Sequence, residues 1–394
     1  MSDRSPSRLV CLTNVFDEHY IAARGEKVPR PLDVKRRQLY RCLEEASGKS
    51  VLLLSSPPKA LERRSGRMLS PVETTFDRHP QFFCGNWDIP KFRIPASWFQ
   101  YARHVRRHLQ PGDLVLIDNY ELIYVLAAFF ARALKDVTFF LDYEDGKHAI
   151  DQGIERIISG LAETLGQKLI SGAILAHPAL AERLPTRLPK ILIPGFFSPT
   201  ESPERRGARS GPVKFLYSGS LDTTRGVDLL LGALPLLPAT GWELHISGAG
   251  ALESLVRTTA REPRWAGKIF FHGALPQEDY RRLLSTCDVA LNCQRSSDPI
   301  SRVTFPSKTF SYLSAGLVVV SSKASHVEQT LGASCVYYEE ETSAGLSRTL
   351  NSMIEDGLTR ISKESLDYLS DHYSLAGTTS RLREFLSKLT LKTA

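Results

Sequence analysis

At 394 residues the chain exceeds what one hydrophobic core usually serves, so two domains are expected. A hydrophobic share of 42% and a charged share of 24% are ordinary for a soluble globular protein. Net charge is +7 and unevenly placed: residues 1–210 hold 31 Lys and Arg against 24 Asp and Glu, and the remainder holds 19 against 19.

A basic first half beside a neutral second half points to an anionic partner for the first domain, a phospholipid surface or a lipid-diphosphate acceptor. Basic solvated surface with no partner is the alternative. Cys11, Cys42, Cys84, Cys287, Cys293 and Cys335 form no C-x-x-C pair and no metal-ligand spacing. They read as cytosolic thiols placed mostly in the core. Met1 to Arg8 is polar, so no signal peptide is expected. The longest apolar segment, Leu122 to Leu134, is too short to span a bilayer and reads as a buried helix.

In chain order, Arg8 to Thr13 (RLVCLT) reads as a strand and is followed by a polar loop through Pro31. Asp33 to Ala46 has helical spacing, with Val34, Leu39, Tyr40 and Leu43 as candidate core positions. Lys49 to Ser55 (KSVLLLS) is a second buried strand, ending before Pro57 and Pro58. Alternating strand and helix is the signature of a parallel sheet covered on both faces. Two basic segments follow. Lys59, Arg63, Arg64 and Arg67 form one, and Trp98, Phe99, Tyr101, Arg103, Arg106 and Arg107 form the other. They suit a headgroup or a diphosphate, with rings at a membrane interface; an amphipathic core helix with a solvated charged face is the plainer reading.

Asp113 to Asp118 (DLVLID) is a strand with Asn119, Tyr120 and Glu121 at its end. Lys135 to Leu141 is the next, and it ends in Asp142, Glu144, Asp145 and His148. Ligands of open parallel sheets gather at the carboxyl ends of strands, which makes these four the catalytic candidates of the first domain. A solvated turn is the alternative, because Glu-Asp-Gly is ordinary turn chemistry. Ala173 to Ala176 is a further strand, with His177 at its end, and Lys190 to Pro194 closes the domain at about residue 199. Thr200 to Pro212 is rich in Pro, Gly, Ser and charge, the composition of a linker.

A second alternating series begins at Val213 to Tyr217, turns at Ser218-Gly219-Ser220-Leu221 and enters a helix near Val227. Trp242 to Ser247 is the next strand, with Gly248-Ala249-Gly250 opening a helix from Leu252. Ile269 to Phe271 and Asp288 to Cys293 follow as strands. Phe305 to Ser321 (FPSKTFSYLSAGLVVVS) reads as turn, short helix, helix-ending Gly316 and buried strand. A helix start preceded by Pro306 and Ser307 presents N–H groups and partial positive charge, which suits an anionic ligand. Ser374 to Leu391 is a terminal helix.

The Phe305–Ser321 block resembles the P-S-K-x-x-E-Y-L-x-x-G-x-x-V-V block of retaining, nucleotide-sugar-dependent glycosyltransferases of the GT-B fold, the group 1 or family-four class. Gly219 through Asp228 resembles the family's G-R-L-x-x-x-K-G-V-D block, with Arg225 at the Lys position and Ser220 where the family has Arg. The resemblance implies an α/β protein of two Rossmann-like domains, with parallel sheets facing across a cleft. Residues 1–199 would form the acceptor side, 200–212 the linker and 213–373 the donor side, and the helix at about 374–391 would pack back on the first domain. Donor binding is implied for Gly219, Ser220, Arg225, Gly248, Ser307, Lys308, Ser311 and Glu328. Departures stand at Ser311 and Val303, where family members carry Glu; the Gly-rich acceptor loop is also missing, since Asn14 to Glu26 holds only Gly25.

The implied activity is hexosyl transfer from a nucleotide-diphospho-sugar to a saccharide or lipid-linked acceptor, with retention and without metal or cofactor. It would belong to polysaccharide or glycoconjugate synthesis, with no nucleic acid as partner. The protein would be cytoplasmic, with peripheral contact to the inner face of a membrane through its basic first domain. Two alternatives follow from the missing carboxylates: a weakened module that binds a sugar nucleotide or a partner enzyme, and a nucleotide-sugar epimerase.

Overall fold

The computed structural model describes residues 8–16, 33–56, 68–87, 93–132, 137–146, 150–199, 211–358 and 361–390. Lys59, Arg63, Arg64, Arg67 and His148, and residues 200–210 of the expected linker, lie outside that set. The chain divides into two compact units, Met1–Ile193 with Leu375–Ala394, and Pro194–Ser374.

The first unit begins β1 (Leu9–Thr13), α1 (Asp33–Ser47), β2 (Val51–Ser55), β3 (Met68–Leu69), β4 (Val72–Phe76), β5 (His79–Phe83) and β6 (Asn86–Trp87). It continues α2 (Arg93–His108), β7 (Leu114–Asp118), α3 (Leu122–Ala131), β8 (Thr138–Tyr143), α4 (Gly153–Gln167), β9 (Ile170–Leu175) and β10 (Lys190–Leu192). An eight-stranded sheet has the order β10-β9-β8-β7-β1-β2-β5-β4. Its pairings are parallel apart from the β4–β5 hairpin, and β3 pairs with β6 in a separate antiparallel ribbon. The runs LVCLT, VLLLS and LVLID are buried at every position, as expected for strands covered on both faces.

Helix α1 differs in phase from the sequence reading. Val34 is 52% exposed, and the buried stripe is Arg36, Leu39, Tyr40 and Leu43. These fall at i, i+3, i+4 and i+7, so a guanidinium takes the inward place that Val34 was expected to hold. Helix α3 ends at Ala131, and Phe129 and Phe130 near its end are exposed, so it is not buried throughout. β8 runs on past Leu141, which places Asp142 and Tyr143 inside the strand. Tyr101 is a core residue whose hydroxyl donates to the Leu54 carbonyl at 2.7 Å, whereas Phe99, Arg103, Arg106 and Arg107 are exposed.

The second unit is β11 (Val213–Ser220), α5 (Val227–Ala233), β12 (Trp242–Ala249), α6 (Glu253–Ala260), β13 (Ile269–Gly273), α7 (Gln277–Thr286) and β14 (Val289–Asn292). It closes with α8 (Lys308–Ser314), β15 (Val318–Ser321), α9 (Val327–Leu331), β16 (Val336–Tyr337), α10 (Ser343–Glu355) and α11 (Lys363–Tyr373). Its six strands run in the order β13-β12-β11-β14-β15-β16, and all are parallel. Helix α12 (Leu375–Thr390) returns to the first unit, where it lies along α1. Among the described residues no helix is long and apolar enough to cross a membrane.

Candidate functional site

In the second unit, β11 is the first strand and lies between β12 and β14, so the connections leave it in opposite directions. That is the switch point where open parallel sheets place ligands. β11 ends in Ser218, Gly219 and Ser220, and two glycines let the chain turn there. Gly248 on β12 has φ 146°, and a Cβ on it would strike the Gly219 carbonyl. Gly226 has φ 69°, a left-handed value, and a Cβ on it would strike the Cys293 carbonyl. A Cβ at Gly219 would stand 4.0 Å from the Lys308 Nζ, which places the end of β11 beside the ammonium.

Lys308 opens α8 and reaches back to β11. Its Nζ donates to the Ser218 hydroxyl at 3.2 Å and stands 5.9 Å from the centroid of the Tyr280 ring. The Ser218 hydroxyl donates to the Tyr280 phenol at 3.0 Å, and Tyr312 donates to the Ser218 carbonyl at 3.0 Å. The Lys308 residue as a whole is exposed, but its ammonium sits among these groups. Burial, and then the charge of Arg225, pushes it down to about 8.

Arg225 follows the turn after β11. Its guanidinium donates to Gln294 Oε1 at 2.6 Å, and the Gln294 amide donates to Ser301 at 2.9 Å and to Ser325 at 2.8 Å. Gln294 is fully buried just beyond β14, so the arginine is aimed by a neutral and well-held partner. Asp222 shapes the turn itself by accepting from the Ser220 hydroxyl, the Thr224 hydroxyl and the Arg225 N–H. Burial alone would raise the Asp222 carboxyl, but these bonds hold it below its usual range. Neither Lys308 nor Arg225 forms an ion pair with a carboxylate among the described residues. Two cations therefore share one corner, with Asp222 as the carboxylate whose charge reaches Arg225.

The remaining donor-side residues are dispersed in role. Ser307 precedes α8 and is exposed, and the first N–H groups of the helix are turned inward: Thr309 bonds Pro306 and Phe310 bonds Ser307. At seven residues α8 offers little dipole, so anion binding there rests on the side-chain cations. Ser311 is exposed, one turn beyond Lys308. Glu328 lies in the first turn of α9, 3.3 Å from Lys323. Ser325 and His326 before it hold left-handed φ of 59° and 56°, uncommon for residues other than glycine. Val303 is buried.

In the first unit, β1 likewise lies between strands reached in opposite directions. Thr13 at its end donates to Asp118 at the end of β7, and Tyr40 donates to Thr13. Arg36 donates to Asp118 at 2.6 Å and to Asn14 at 2.8 Å, while Lys35 pairs with Glu144 at 2.6 Å. Asn119, at φ 53°, accepts the N–H groups of Glu144 and Asp145 and so ties the loop after β8 to β7. Asp142 is buried with an Oδ1 that meets no hydrogen-bond partner among the described residues. Burial first, then the charge of Glu144, pushes its carboxyl well above the usual range. Asp142 and Glu144 thus belong to a buried network with Lys35, Arg36 and Asp118, and Asp145 is half-buried. His177 is buried and caps the short turn that follows it by accepting the Ala179 N–H.

Residues 212–356 match the family model of glycosyl transferases group 1. No curated protein matches the whole sequence significantly. Among solved structures, Anabaena HepE in complex with UDP and glucose aligns at a TM-score of 0.68 and 14% identity, covering 97% of this chain and 99% of that one. The lipopolysaccharide outer core galactosyltransferase WaaB aligns at 0.68 and 13%, covering 96% and 99%. Sucrose-phosphate synthase from Thermosynechococcus elongatus aligns at 0.68 and 12%, covering 98% and 100%. The fold is GT-B.

Proposed function

We propose that this chain, whose residues 212–356 match the group 1 glycosyl transferase model and whose fold is GT-B, moves a hexosyl group from a nucleotide-diphospho-sugar to a saccharide or lipid-linked saccharide. One observation carries this reading: Lys308 and Arg225 stand together at the carboxyl edge of the second sheet, and among the described residues neither forms an ion pair with a carboxylate. A diphosphate supplies the missing negative charge. As the bond from the sugar to the diphosphate breaks, charge grows on the leaving phosphate, and two fixed cations stabilise it where it develops. They can serve the purpose that a divalent cation serves elsewhere, which is why we assign a metal-independent reaction. Retention of configuration follows from the family resemblance.

Around this clamp, Gly219 and Gly248 give the donor close approach to the backbone, and Ser220 and Ser307 flank the phosphates. Ser311 and Glu328 are assigned to the ribose, where family members use Glu. Glu328 can serve only by exchanging its contact with Lys323. On the acceptor side, Asn119 and the Lys35–Glu144 pair hold the loop after β8, Asp142 is assigned a positioning role from within the buried network, and Asp145 and His148 are the candidates that meet the transferred sugar. None of the six cysteines forms a disulfide and all are buried, which supports a reducing, cytoplasmic setting. HepE is the solved relative described with UDP and glucose, which makes a uridine donor the first to try.

Thermal-shift screening against UDP, GDP, ADP, CMP and their common sugar conjugates tests the reading. A ligand confined to the folded state at about 100 times its dissociation constant adds about 2.7 kcal/mol. One nucleotide diphosphate should raise the midpoint, and its sugar conjugate should be hydrolysed or transferred. Binding without turnover would mark a weakened module, and conversion of the donor sugar without acceptor an epimerase. No shift from any nucleotide would sink the proposal.

A further inference from the structure

Helix α4 turns its apolar stripe toward solvent. Ile154, Ile157, Ile158 and Leu161 recur at i, i+3, i+4 and i+7, and they are 72%, 71%, 42% and 51% exposed. Its inward side carries Ala162, Glu163 and Gly166. Glu163 is tied to Arg183 at 2.7 Å, and Gly166 leaves room for the Tyr120 ring. The helix is therefore fastened to its unit by small and polar groups, and the residues that normally make a core face are left uncovered.

The exposed face continues beyond α4. The connections from β5 to β7, β7 to β8 and β8 to β9 all step the same way across the sheet, so right-handed crossovers put α2, α3 and α4 on one side. On α3, Phe129 and Phe130 are 52% and 61% exposed with ring centroids 6.4 Å apart, and on α2 Phe99 is 70% exposed. Large apolar side chains exposed on three helices of one side of the sheet mark an interaction site.

Charge identifies the occupant. Arg103, Arg106 and Arg107 on α2, Arg132 at the end of α3 and Arg156 on α4 are all exposed. Neither α2 nor α3 contains an acidic residue within its bounds; among the described residues the acidic groups nearby in sequence are Glu121, which precedes α3, and Asp151 and Glu155 at the start of α4. A second copy packed on the same face would set these arginines against their own images, a like-charge arrangement. An anionic bilayer instead supplies the opposite charge and an apolar layer for the isoleucines and phenylalanines.

We propose that the face formed by α4, the end of α3 and the arginines of α2 docks on an anionic lipid bilayer, with Ile154, Ile157 and Phe130 entering the headgroup boundary. The proposal goes beyond the transferase reading and stands without it, because vesicle binding and donor binding are measured separately.

Co-sedimentation of the full chain with phosphatidylcholine vesicles, with and without phosphatidylglycerol, tests it. The protein should pellet with the mixed vesicles and be released by salt. Ile157→Glu and Phe130→Glu should each lower the partition about ten-fold or more, because each puts a charge in place of an apolar side chain that the bilayer would bury. Joint Arg106→Glu and Arg107→Glu should lower it by roughly ten-fold or more, on anionic vesicles alone. Leu255→Glu, which replaces a 48%-exposed leucine of the second unit, should leave it unchanged. Unaltered thermal midpoints would establish that the variants fold. Failure of the parent chain to bind mixed vesicles overturns the proposal, as does an equal loss in Leu255→Glu. So does a dimer that Ile157→Glu dissociates in a chain that ignores vesicles.

Discussion

The Lys308 ammonium lies 3.2 Å from the Ser218 hydroxyl, a neutral acceptor, while the nearest charge pressing on it is another cation, Arg225. That arrangement, after burial, lowers its pKa to about 8. A bound diphosphate reverses the balance and restores the proton. Nucleoside diphosphate affinity should therefore fall as pH rises through about 8, with proton uptake on binding, and calorimetry in buffers of different ionisation enthalpy reads both. Lys308→Ala and Arg225→Ala should each weaken binding by roughly 1.5–3 kcal/mol, the range for hydrogen bonds to charged groups. Lys308→Ala should also abolish this step in the pH profile. For the empty protein the sign is opposite: between about 8 and the usual lysine value of about 10.4 the unfolded chain holds a proton that the folded one has lost, so stability rises with pH there. Unchanged affinity in both variants would refute the clamp.

Gln294 aims Arg225, and its charge state matters as much as its shape. Gln294→Leu should leave the buried hydroxyls of Ser301 and Ser325 without their donor and free the guanidinium, costing about 1–3 kcal/mol of stability. Gln294→Glu keeps the shape and lets both serines donate, yet places a carboxylate on Arg225 and cancels its charge. It should fold normally and lose nucleotide affinity at least as severely as Arg225→Ala. Equilibrium unfolding and nucleotide titration separate the two effects. If Gln294→Glu bound nucleotide as well as the parent chain, Arg225 would have no part in phosphate binding.

Much of the fold is legible in the sequence because strands buried on both faces are written as unbroken apolar runs. VLLLS, LVLID and LVVV announce themselves, and the glycines at 219, 226 and 248 punctuate the turns between elements. What stays hidden depends on partners far away in the chain. The hairpin of Val72–Phe76 with His79–Phe83 is polar and contains Pro80. Arg36 reads as one more solvated charge until Asp118, 82 residues on, is seen to receive it. Gln294 and Asp222 carry no motif, since their roles exist only once loops meet. The outward stripe of α4 misleads in the other direction: its 3.6-residue period is the ordinary signal of a core face, and period alone cannot say which side is inside.

Arg36 holds the first unit together by neutralising a buried carboxylate. Its guanidinium is tied at 2.6 Å to Asp118, and both groups are buried. Burial works hardest against its charge, but Asp118, with Tyr40, Asp142 and Glu144 adding to it, more than offsets this and raises the guanidinium pKa above its usual value. Arg36→Met removes the cation and strands a carboxylate, which should cost about 3–5 kcal/mol. Pairing it with Asp118→Asn should recover much of that loss, because the stranded charge then disappears. Urea unfolding of the single and double variants gives the coupling directly, and additive costs would show that the pair does not interact.

The surroundings of Asp142 push its carboxyl well above the usual range, and this gives the first unit a pH dependence opposite to the usual carboxylate. Burial and Glu144 raise its carboxyl, Asp118 adds to the effect, and Lys35 and Arg36 partly offset it. Above the ordinary aspartate value of about 3.9 the folded chain keeps a proton that the unfolded chain gives up, so stability declines with rising pH until the folded pKa is passed. Asp142→Asn, which imitates the protonated form, should be tolerated at neutral pH and should remove this decline from denaturant melts taken across the window. Because Asp142 lies inside the network with its Oδ1 enclosed, the same variant should also retain transfer or donor hydrolysis better than Asp145→Asn does. Should Asp142→Asn abolish turnover while leaving stability and its pH profile untouched, Asp142 would be a group that meets the sugar, and the positioning role assigned to it here would fall.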